Sequence, residues 1–323
     1  MKRYGLEAEY LFAAPTTIHS LNGNTPPWVT KEFFDIMVEV VTDVHTSRGA
    51  AVEELQHRVE VLERLNGGVQ LLPRATLPDD TAWSAAWGAV TSHTPYYQWV
   101  YEVACRQQGG ASPFWLHPVG FHPNFSDTTL TEDQMVQAVN ALRCLNFLFI
   151  LVTANSPSRL HGCVSARSLL FPNRYPPFWQ GAEHFREWIS AEEAAGRIFT
   201  GKGRCWMACC PRLVDNDVHK PIERIELRSL DSGRDVPFET LGGCFELMER
   251  VIDASSGTAS LPSLHSELHP NDQAVARLGR KAEVMLHGKA FSVIDIAREW
   301  CHGIPSLERV LEEGSPAEQL LRN

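Results

Sequence analysis

Residues 4–12 read YGLEAEYLF, and this stretch determines how the rest of the chain is interpreted. Side chains alternate between the two faces of a β-strand, so an extended conformation places Glu7 and Glu9 on one face and mostly apolar residues on the other. The two carboxylates then repeat about 7 Å apart, close enough to repel each other where water is scarce. The pattern fits two interpretations, a half-exposed strand with an ordinary polar face or one wall of a cation site.

Two later segments carry a glutamate inside an apolar strand pattern. IMVEVVTD (36–43) contains Glu39, and IERIELRSLD (222–231) contains Glu226. A buried carboxylate requires a positive partner or a metal ion. Four glutamates on three extended segments are therefore candidate ligands of Mg²⁺, with Mn²⁺ as the alternative. They are Glu7, Glu9, Glu39 and Glu226.

The segment FWLHPVGFHPNFSD (114–127) is predicted to be extended, and its prolines favour an irregular or edge strand. His122 and Asn124 are two residues apart and therefore lie on one face of such a strand. A lone histidine is most often an ordinary core or surface residue, but imidazole is an acceptable ligand for Mn²⁺. We therefore include His122 as an additional candidate metal ligand.

The bulk composition describes a globular protein. The chain has 323 residues, 44% of them hydrophobic and 21% charged, and we see no linker that divides it, so we expect a single domain over 1–323. Its formal net charge of -10 disfavours a nucleic-acid partner. Glutamates stand where a signal peptide needs its apolar core, and the most apolar run, LNFLFILVTA (145–154), is about half the length that spans a bilayer. We therefore expect a cytoplasmic protein without a membrane partner.

Two common catalytic signatures are excluded. GRIFTGK (196–202) matches GxxxxGK, but Gly203 replaces the Ser or Thr that binds Mg²⁺, and a helical pattern precedes the motif instead of a strand. The sequence has no GxSxG elbow for a hydrolase. Any nucleotide is therefore held without a P-loop.

Basic residues are concentrated in an aperiodic region, 156–221, and in the strand that follows it. Such a region in a compact protein often packs over a site. Arginine binds carboxylates and phosphates, so the cluster suits a polyanionic ligand such as ATP; the alternative for each residue is a solvated surface position. The cluster comprises Arg159, Arg167, Arg174, Lys202, Arg204, Arg212, Arg224 and Arg228.

Helical patterns complete an α+β fold class. VEELQHRVEVLERL (52–65) has an apolar stripe at helical spacing, Thr131 and Gln134 form a predicted capping box at the start of a second helix, and the tail from 271 to 323 reads as helices.

The order of these motifs resembles that of glutamate–cysteine ligase family 2, a group of carboxylate–amine ligases whose catalytic fold is similar to that of glutamine synthetase. The resemblance covers nearly the whole chain, and its specificity lies in the collinear order of short motifs. The matching stretches are YGLEAEYLF (4–12), MVEVVTD (37–43), GFHPNFSD (120–127), NFLFILVTANSPSRLHG (146–162), VSARSLLFPNRYPP (164–177), IERIELRSLD (222–231), AVARLGRKAEV (274–284) and LERVLEEGSPAEQLLR (307–322). Asn124 stands where the family usually carries a second histidine.

The resemblance implies a mainly antiparallel sheet that forms an active-site funnel flanked by helices. It implies ATP as cosubstrate, with Mg²⁺ held by the four glutamates and His122. It further implies that Arg228 stabilises the γ-phosphoryl group and that Arg167 and Arg174 hold the substrate carboxylate or a phosphate. Asn155 and Arg212 would shape the same pocket.

The implied activity is ligation of a carboxylate and an amine through an acyl phosphate, with γ-glutamylcysteine formation as the leading expectation. A different amino acid or amine in specialised metabolism, a phosphoryl-transferring kinase and a nonenzymatic nucleotide- or metal-binding protein are the alternatives. The expected partners are small-molecule substrates, and a homo-oligomer is compatible with the sequence.

Overall fold

The computed structural model describes residues 1–13, 18, 25–32, 34–65, 69–77, 95, 98–99, 102, 119–170, 175–198, 207–255 and 261–322. The strands are β1 (Lys2–Leu11), β2 (Val29–Lys31), β3 (Met37–Val41), β4 (Gly120–Asp127), β5 (Cys209–Leu213), β6 (Ile222–Leu227), β7 (Leu230–Asp231), β8 (Glu283–Leu286) and β9 (Lys289–Ser292). The helices named below are α1 (Arg48–Arg64), α2 (Glu132–Cys144), α3 (Asn146–Thr153), α4 (Ala166–Leu170), α5 (Ala182–Ala194), α6 (Phe238–Ser255), α7 (Leu268–Leu278), α8 (Val293–Cys301), α9 (Pro305–Glu313) and α10 (Pro316–Arg322).

Seven strands form one antiparallel sheet in the order β2-β3-β1-β4-β6-β5, with β7 also paired to β4. The α+β class with a mainly antiparallel sheet is therefore confirmed. One face of the sheet carries the apolar side chains of β1, including Leu6, Ala8 and Tyr10, which are buried in the core. Helix α1 packs on β1 and β3, and α2 packs on β5 and β6, so the opposite face is free to present polar groups.

The prediction of an edge position for the proline-containing segment is wrong, because β4 lies in the interior of the sheet between β1 and β6. Pro123 is paired with Leu6. The backbone N–H of Leu6 donates to the Thr42 hydroxyl, and its carbonyl accepts a hydrogen bond from the Thr42 backbone N–H, so Leu6 forms its backbone hydrogen bonds on the side away from β4. On its other side, β4 pairs with β7 through residues 120–121 and with β6 through residues 124–125. Pro123 falls between these two pairings, so its missing N–H costs the sheet no hydrogen bond.

Two helices begin at or near the positions predicted from the sequence. Helix α1 begins after Ser47, four residues before the predicted start, and α2 has the predicted capping box between Thr131 and Gln134. The apolar run 145–154 contains α3, and all residues of this helix are buried, which fits a core helix. Among the described residues, no single helix combines the length and apolarity needed to cross a membrane; the bent pair α2 and α3, with 55° between them, meets that criterion on length and composition alone.

The tail predicted to be helical also contains a hairpin, β8–β9, so that prediction is incomplete. His287 and Gly288 form its turn with φ of 51° and 75°. A two-residue turn with positive φ at both positions matches the twist of an antiparallel pair and favours a glycine.

Candidate functional site

The register of the sheet gathers the predicted carboxylates on its polar face. Glu9 is paired with Glu39 across β1 and β3, and Glu7 is paired with His122 across β1 and β4. Asn124 is paired with Glu226 on β6. Because paired residues point to the same side of a sheet, segments far apart in the chain present their polar side chains together.

Two groups of side chains have the geometry to hold a cation. Their ligand atoms lie within 4.8 Å of one another in each group, and Glu39 belongs to both. The first group adds Glu7 and His122, and the second adds Glu9 and Glu32. We call these residues together the carboxylate cluster. Glu32 was not predicted from the sequence; it immediately follows β2, which the β2–β3 pairing of Thr30 with Glu39 brings to this face.

Hydrogen bonds fix the orientation of three carboxylates in the cluster. The Thr30 hydroxyl donates to Glu39 at 2.6 Å, and the Gly120 backbone N–H donates to Glu9 at 2.9 Å. The Asn124 amide donates to Glu7 at 3.2 Å. Each bond uses one oxygen and leaves lone pairs of the carboxylate for a cation.

His122 is suited to bind a metal as a neutral ligand. It is 1% exposed, and its two ring nitrogens make no hydrogen bond with the described residues. Nδ1 lies 3.8 Å from a Glu7 oxygen, and Nε2 lies 3.7 Å from a Glu9 oxygen. Burial, with a further contribution from the Arg228 cation, lowers the pKa of His122 to about 3. A lone pair therefore remains available on the ring at neutral pH.

Burial and the crowding of negative charge raise the pKa of two carboxyl groups in the cluster. Burial and the neighbouring Glu7 carboxylate raise the pKa of Glu39 to about 7. Burial and the Glu226 carboxylate likewise raise the pKa of Glu7. A positive charge bound between them would favour the ionised form of both.

Glu226 has a different environment from the cluster. It is fully buried and forms ion pairs with Arg212 and Arg228. Burial alone would raise the pKa of Glu226, but the two guanidinium groups outweigh it and hold that pKa well below its usual range. Glu226 belongs to neither cation-binding group of the described residues, so its role as a metal ligand stays a prediction.

Arg167 lies at the other end of the cluster. It is 4% exposed, and its guanidinium lies so close to Gly120 that a Cβ there would be 2.4 Å from Nη2. The Glu9 and Asp231 carboxylates both attract the positive charge of its guanidinium. The structure thus brings Arg167 and Arg228 to the cluster from different elements.

The remaining predicted residues have separate outcomes. The side-chain amide of Asn155 donates to the backbone carbonyls of Pro73 and Ser232, at 2.8 Å each. Both amide hydrogens are therefore used in hydrogen bonds within the fold. Arg212 contacts the site through Glu226. Arg174 lies outside the described residues. The predicted roles of all three in binding stay predictions.

A cavity of about 310 Å³ opens beside Glu7. Tyr4, Val41 and Val44 contribute apolar surface, and Arg224 contributes a cation to its wall. Arg224 also donates to the Asn124 amide oxygen at 2.8 Å. This cavity therefore places an apolar surface and a positive charge directly next to the cluster.

The donor set fits a hard divalent cation. Four carboxylates and one neutral imidazole supply oxygen and nitrogen ligands that suit Mg²⁺ or Mn²⁺. With a cation bound, such a face can bind phosphate oxygens and stabilise charge on a transferring phosphoryl group.

The sequence matches no protein-family model and no curated protein. Solved structures nevertheless resemble it. Glutamate–cysteine ligase from Francisella tularensis, solved in complex with AMP, has a TM-score of 0.70 and 14% identity, over 99% of this chain and 84% of its own. A bifunctional glutathione synthetase from Pasteurella multocida has a TM-score of 0.66 and 12% identity, over 99% of this chain and 49% of its own. This chain therefore spans about half the length of the second protein and has the fold of the glutamate–cysteine ligase.

Proposed function

We propose that the protein is an ATP-dependent ligase that joins a carboxylate to an amine through an acyl phosphate. The observation that carries the proposal is the carboxylate cluster, with its two cation-binding groups, on the polar face of a sheet with a ligase fold. Residues 1–323 would act as one catalytic unit, because the likeness to the glutamate–cysteine ligase extends over 99% of the chain.

The cluster would hold Mg²⁺ or Mn²⁺ through Glu7, Glu9, Glu32, Glu39 and His122, with Glu226 as a further candidate. A bound divalent cation supplies charge neutralisation for the phosphates and for the transition state of phosphoryl transfer. Thr30, Gly120 and Asn124 hold the carboxylates in place before the substrate arrives. Such fixed positioning is the main protein contribution to phosphoryl transfer.

We place the nucleotide in the cavity beside Glu7. Its volume of about 310 Å³ lies at the lower end of the range for small-molecule sites. Apolar side chains such as Tyr4 and Val41 would contact the base, and Arg224 would contact an anionic group. The phosphates would then extend toward the carboxylate cluster.

The proposed reaction has two steps, phosphoryl transfer and amide formation. An oxygen of the substrate carboxylate attacks the γ-phosphorus, the bond to the β,γ-bridging oxygen breaks, and ADP leaves. The amine nitrogen then attacks the acyl carbon, the bond to the phosphate oxygen breaks, and the nitrogen loses a proton as inorganic phosphate leaves. Arg228 would stabilise the γ-phosphoryl charge, and Arg167 would hold the substrate carboxylate or a phosphate, with Arg174 as a further candidate.

The finer proposal is that glutamate is the carboxylate donor and cysteine the amine. Its support is the likeness in fold to glutamate–cysteine ligase. The chemistry of the carboxylate cluster itself serves any carboxylate donor. A different amino acid or amine is therefore an outcome that the experiment must distinguish.

The test measures ADP release by the purified protein with ATP, Mg²⁺ and single amino acids, with hydroxylamine as a trapping amine. A ligase forms a hydroxamate with its own carboxylate substrate, and glutamate is the expected one. If no carboxylate elicits ADP and hydroxamate, the proposed ligation is refuted; a stable phosphorylated product with no hydroxamate would indicate a kinase instead.

Two variants test the role of the cluster. Glu7→Gln should lower turnover by about a hundredfold or more, whereas Glu53→Gln, on the exposed side of α1, should leave it unchanged. Glu32→Gln should weaken Mn²⁺ binding, measured by electron paramagnetic resonance without substrates. Unchanged Mn²⁺ binding in Glu32→Gln would remove Glu32 from the cluster.

A further inference from the structure

A second cavity, of about 440 Å³, lies among the C-terminal helices. Its walls come from α7, α8, α9 and α10 and from Val164, which precedes α4. None of the residues assigned to the carboxylate cluster lines it. We call it the C-terminal groove.

The charged side chains that line the C-terminal groove are five cations and one carboxylate, in a protein whose formal net charge is -10. The cations are Arg277, Arg280, Lys281, Arg298 and Arg322. The carboxylate is Glu318, which accepts hydrogen bonds from the backbone N–H and Nε of Arg280 at 2.8 and 3.1 Å and from the backbone N–H of Ser315 at 3.0 Å. Its negative charge is therefore already committed within the fold.

The five cations divide into two kinds. Arg280 donates to the carbonyls of Leu311 and Glu312 at 3.0 and 2.9 Å, and Arg322 donates to the carbonyl of Glu313 at 3.0 Å. These two arginines satisfy the C-terminal carbonyls of α9, which is a structural role.

The other three cations, Arg277, Lys281 and Arg298, are exposed around the groove. Arg298 lies 3.7 Å from Asp295, but both side chains are more than two-thirds exposed, and such pairs contribute little. The three charges are therefore available to an anion from solution.

Apolar side chains form part of the same surface. Leu278 is 53% exposed and Leu321 is 40% exposed, although both belong to helices that pack on the core. Ile294 also lines the groove. These apolar side chains would add nothing to the binding of an inorganic anion. An anion that carries an apolar group could bury that group against them.

We propose that the C-terminal groove binds a small organic anion, one carboxylate or phosphate group carried on an apolar body. Arg277, Lys281 and Arg298 would bind the anionic group, and the leucine and isoleucine side chains would cover the apolar body. The volume of the groove suits a molecule of a few hundred daltons. The overall acidity of the chain argues against nucleic acid as the occupant.

The test uses 8-anilinonaphthalene-1-sulfonate, an aromatic anion whose fluorescence rises in apolar surroundings. The full-length protein is titrated with and without saturating ATP and Mg²⁺, because we propose that the nucleotide binds in the cavity beside Glu7 and would there compete with the probe. Saturable binding is expected. The groove variant Arg277→Glu/Lys281→Glu should weaken it about tenfold, from the loss of two attractive charges and the gain of two repulsive ones.

The matched control is Arg64→Glu/Arg309→Glu, which makes the same change of net charge at two exposed positions outside the groove. Equal weakening in both variants, or binding that neither affects, would overturn the proposal. Circular dichroism melts establish that each variant is folded.

Displacement tests the chemical class of the occupant. Octanoate, which joins a carboxylate to an apolar chain, should displace the probe from the wild-type protein, and inorganic phosphate at equal ionic strength should not. Displacement by phosphate as effective as that by octanoate would overturn the requirement for an apolar body.

Discussion

Gly120 occupies the point where two parts of the candidate site meet. Its backbone N–H donates to Glu9 at 2.9 Å, and its missing side chain leaves space for the guanidinium of Arg167. A Cβ at this position would lie 2.4 Å from Nη2 and 2.5 Å from Cζ of Arg167. We therefore expect Gly120→Ala to disturb both groups with the addition of one methyl.

The size of the disturbance follows from these distances. Carbon contacts are favourable near about 3.5 Å, so the guanidinium or the strand must move by about 1 Å. Arg167 is only 4% exposed, so any movement of its guanidinium must displace buried neighbouring groups. A displacement of about 1 Å in a reacting assembly typically costs about a hundredfold in rate. The overpacking itself should cost about 1–3 kcal/mol of the free energy of unfolding.

Two glycines in α6 provide controls for the same substitution. A Cβ at Gly243 would lie 2.4 Å from the Ser306 hydroxyl and 2.8 Å from Leu307 Cγ, so Gly243→Ala introduces a similar clash away from the cluster. Gly242→Ala meets no atom within 4 Å and should stabilise the helix by about 0.5–1 kcal/mol. Both variants should retain wild-type activity per folded molecule.

The assay is kcat/KM for ADP release with the carboxylate that the wild-type protein uses, alongside urea unfolding of each variant. Gly120→Ala should lose about a hundredfold in kcat/KM, and Gly243→Ala should lose stability alone. Wild-type activity in Gly120→Ala, or an equal loss in Gly243→Ala, would refute the argument that the space above Gly120 positions Arg167.

Two further predictions concern stability. Burial raises the pKa of Asp272 to about 7, despite hydrogen bonds from Asn146 and Tyr175, so the folded state binds this proton more tightly than the unfolded chain. The free energy of unfolding should therefore fall by up to about 4 kcal/mol as the pH rises from about 4 to about 7, and urea unfolding across that range should show a smaller fall for Asp272→Asn. Arg212→Met leaves the buried Glu226 with one arginine fewer and should cost about 3 kcal/mol. Adding Glu226→Gln should recover part of that loss in the same unfolding measurement, and strictly additive losses would contradict the coupling.

The period of a strand was sufficient to predict one side of the candidate site. The alternation in β1 places Leu6 and Ala8 in the core and leaves Glu7 and Glu9 on the polar face. The same alternation explains Glu39 on β3. These assignments need only the side-chain direction within one strand, and that information is local.

Glu32 shows what local reasoning misses. It follows β2 and belongs to no strand, so alternation assigns it to no face. Its position near Glu39 depends on the antiparallel pairing of Thr30 with Glu39, which a sequence pattern indicates only if the three-residue strand is recognised. The interior position of β4 was missed for a related reason, because the cost of Pro123 depends on where the neighbouring strands end.

Glu226 and Glu39 differ in how their negative charge is balanced by neighbouring groups. Both lie on the polar face, but two arginines lower the pKa of Glu226, whereas Glu39 has a hydroxyl donor and carboxylate neighbours, and its pKa rises to about 7. The protein therefore neutralises the buried Glu226 carboxylate with two arginines, whereas among the described residues Glu39, which belongs to both cation-binding groups, has no ion pair with a basic side chain. Under the proposed function, a bound divalent cation would supply that charge, and the same ion would relieve the repulsion predicted between Glu7 and Glu9 in YGLEAEYLF.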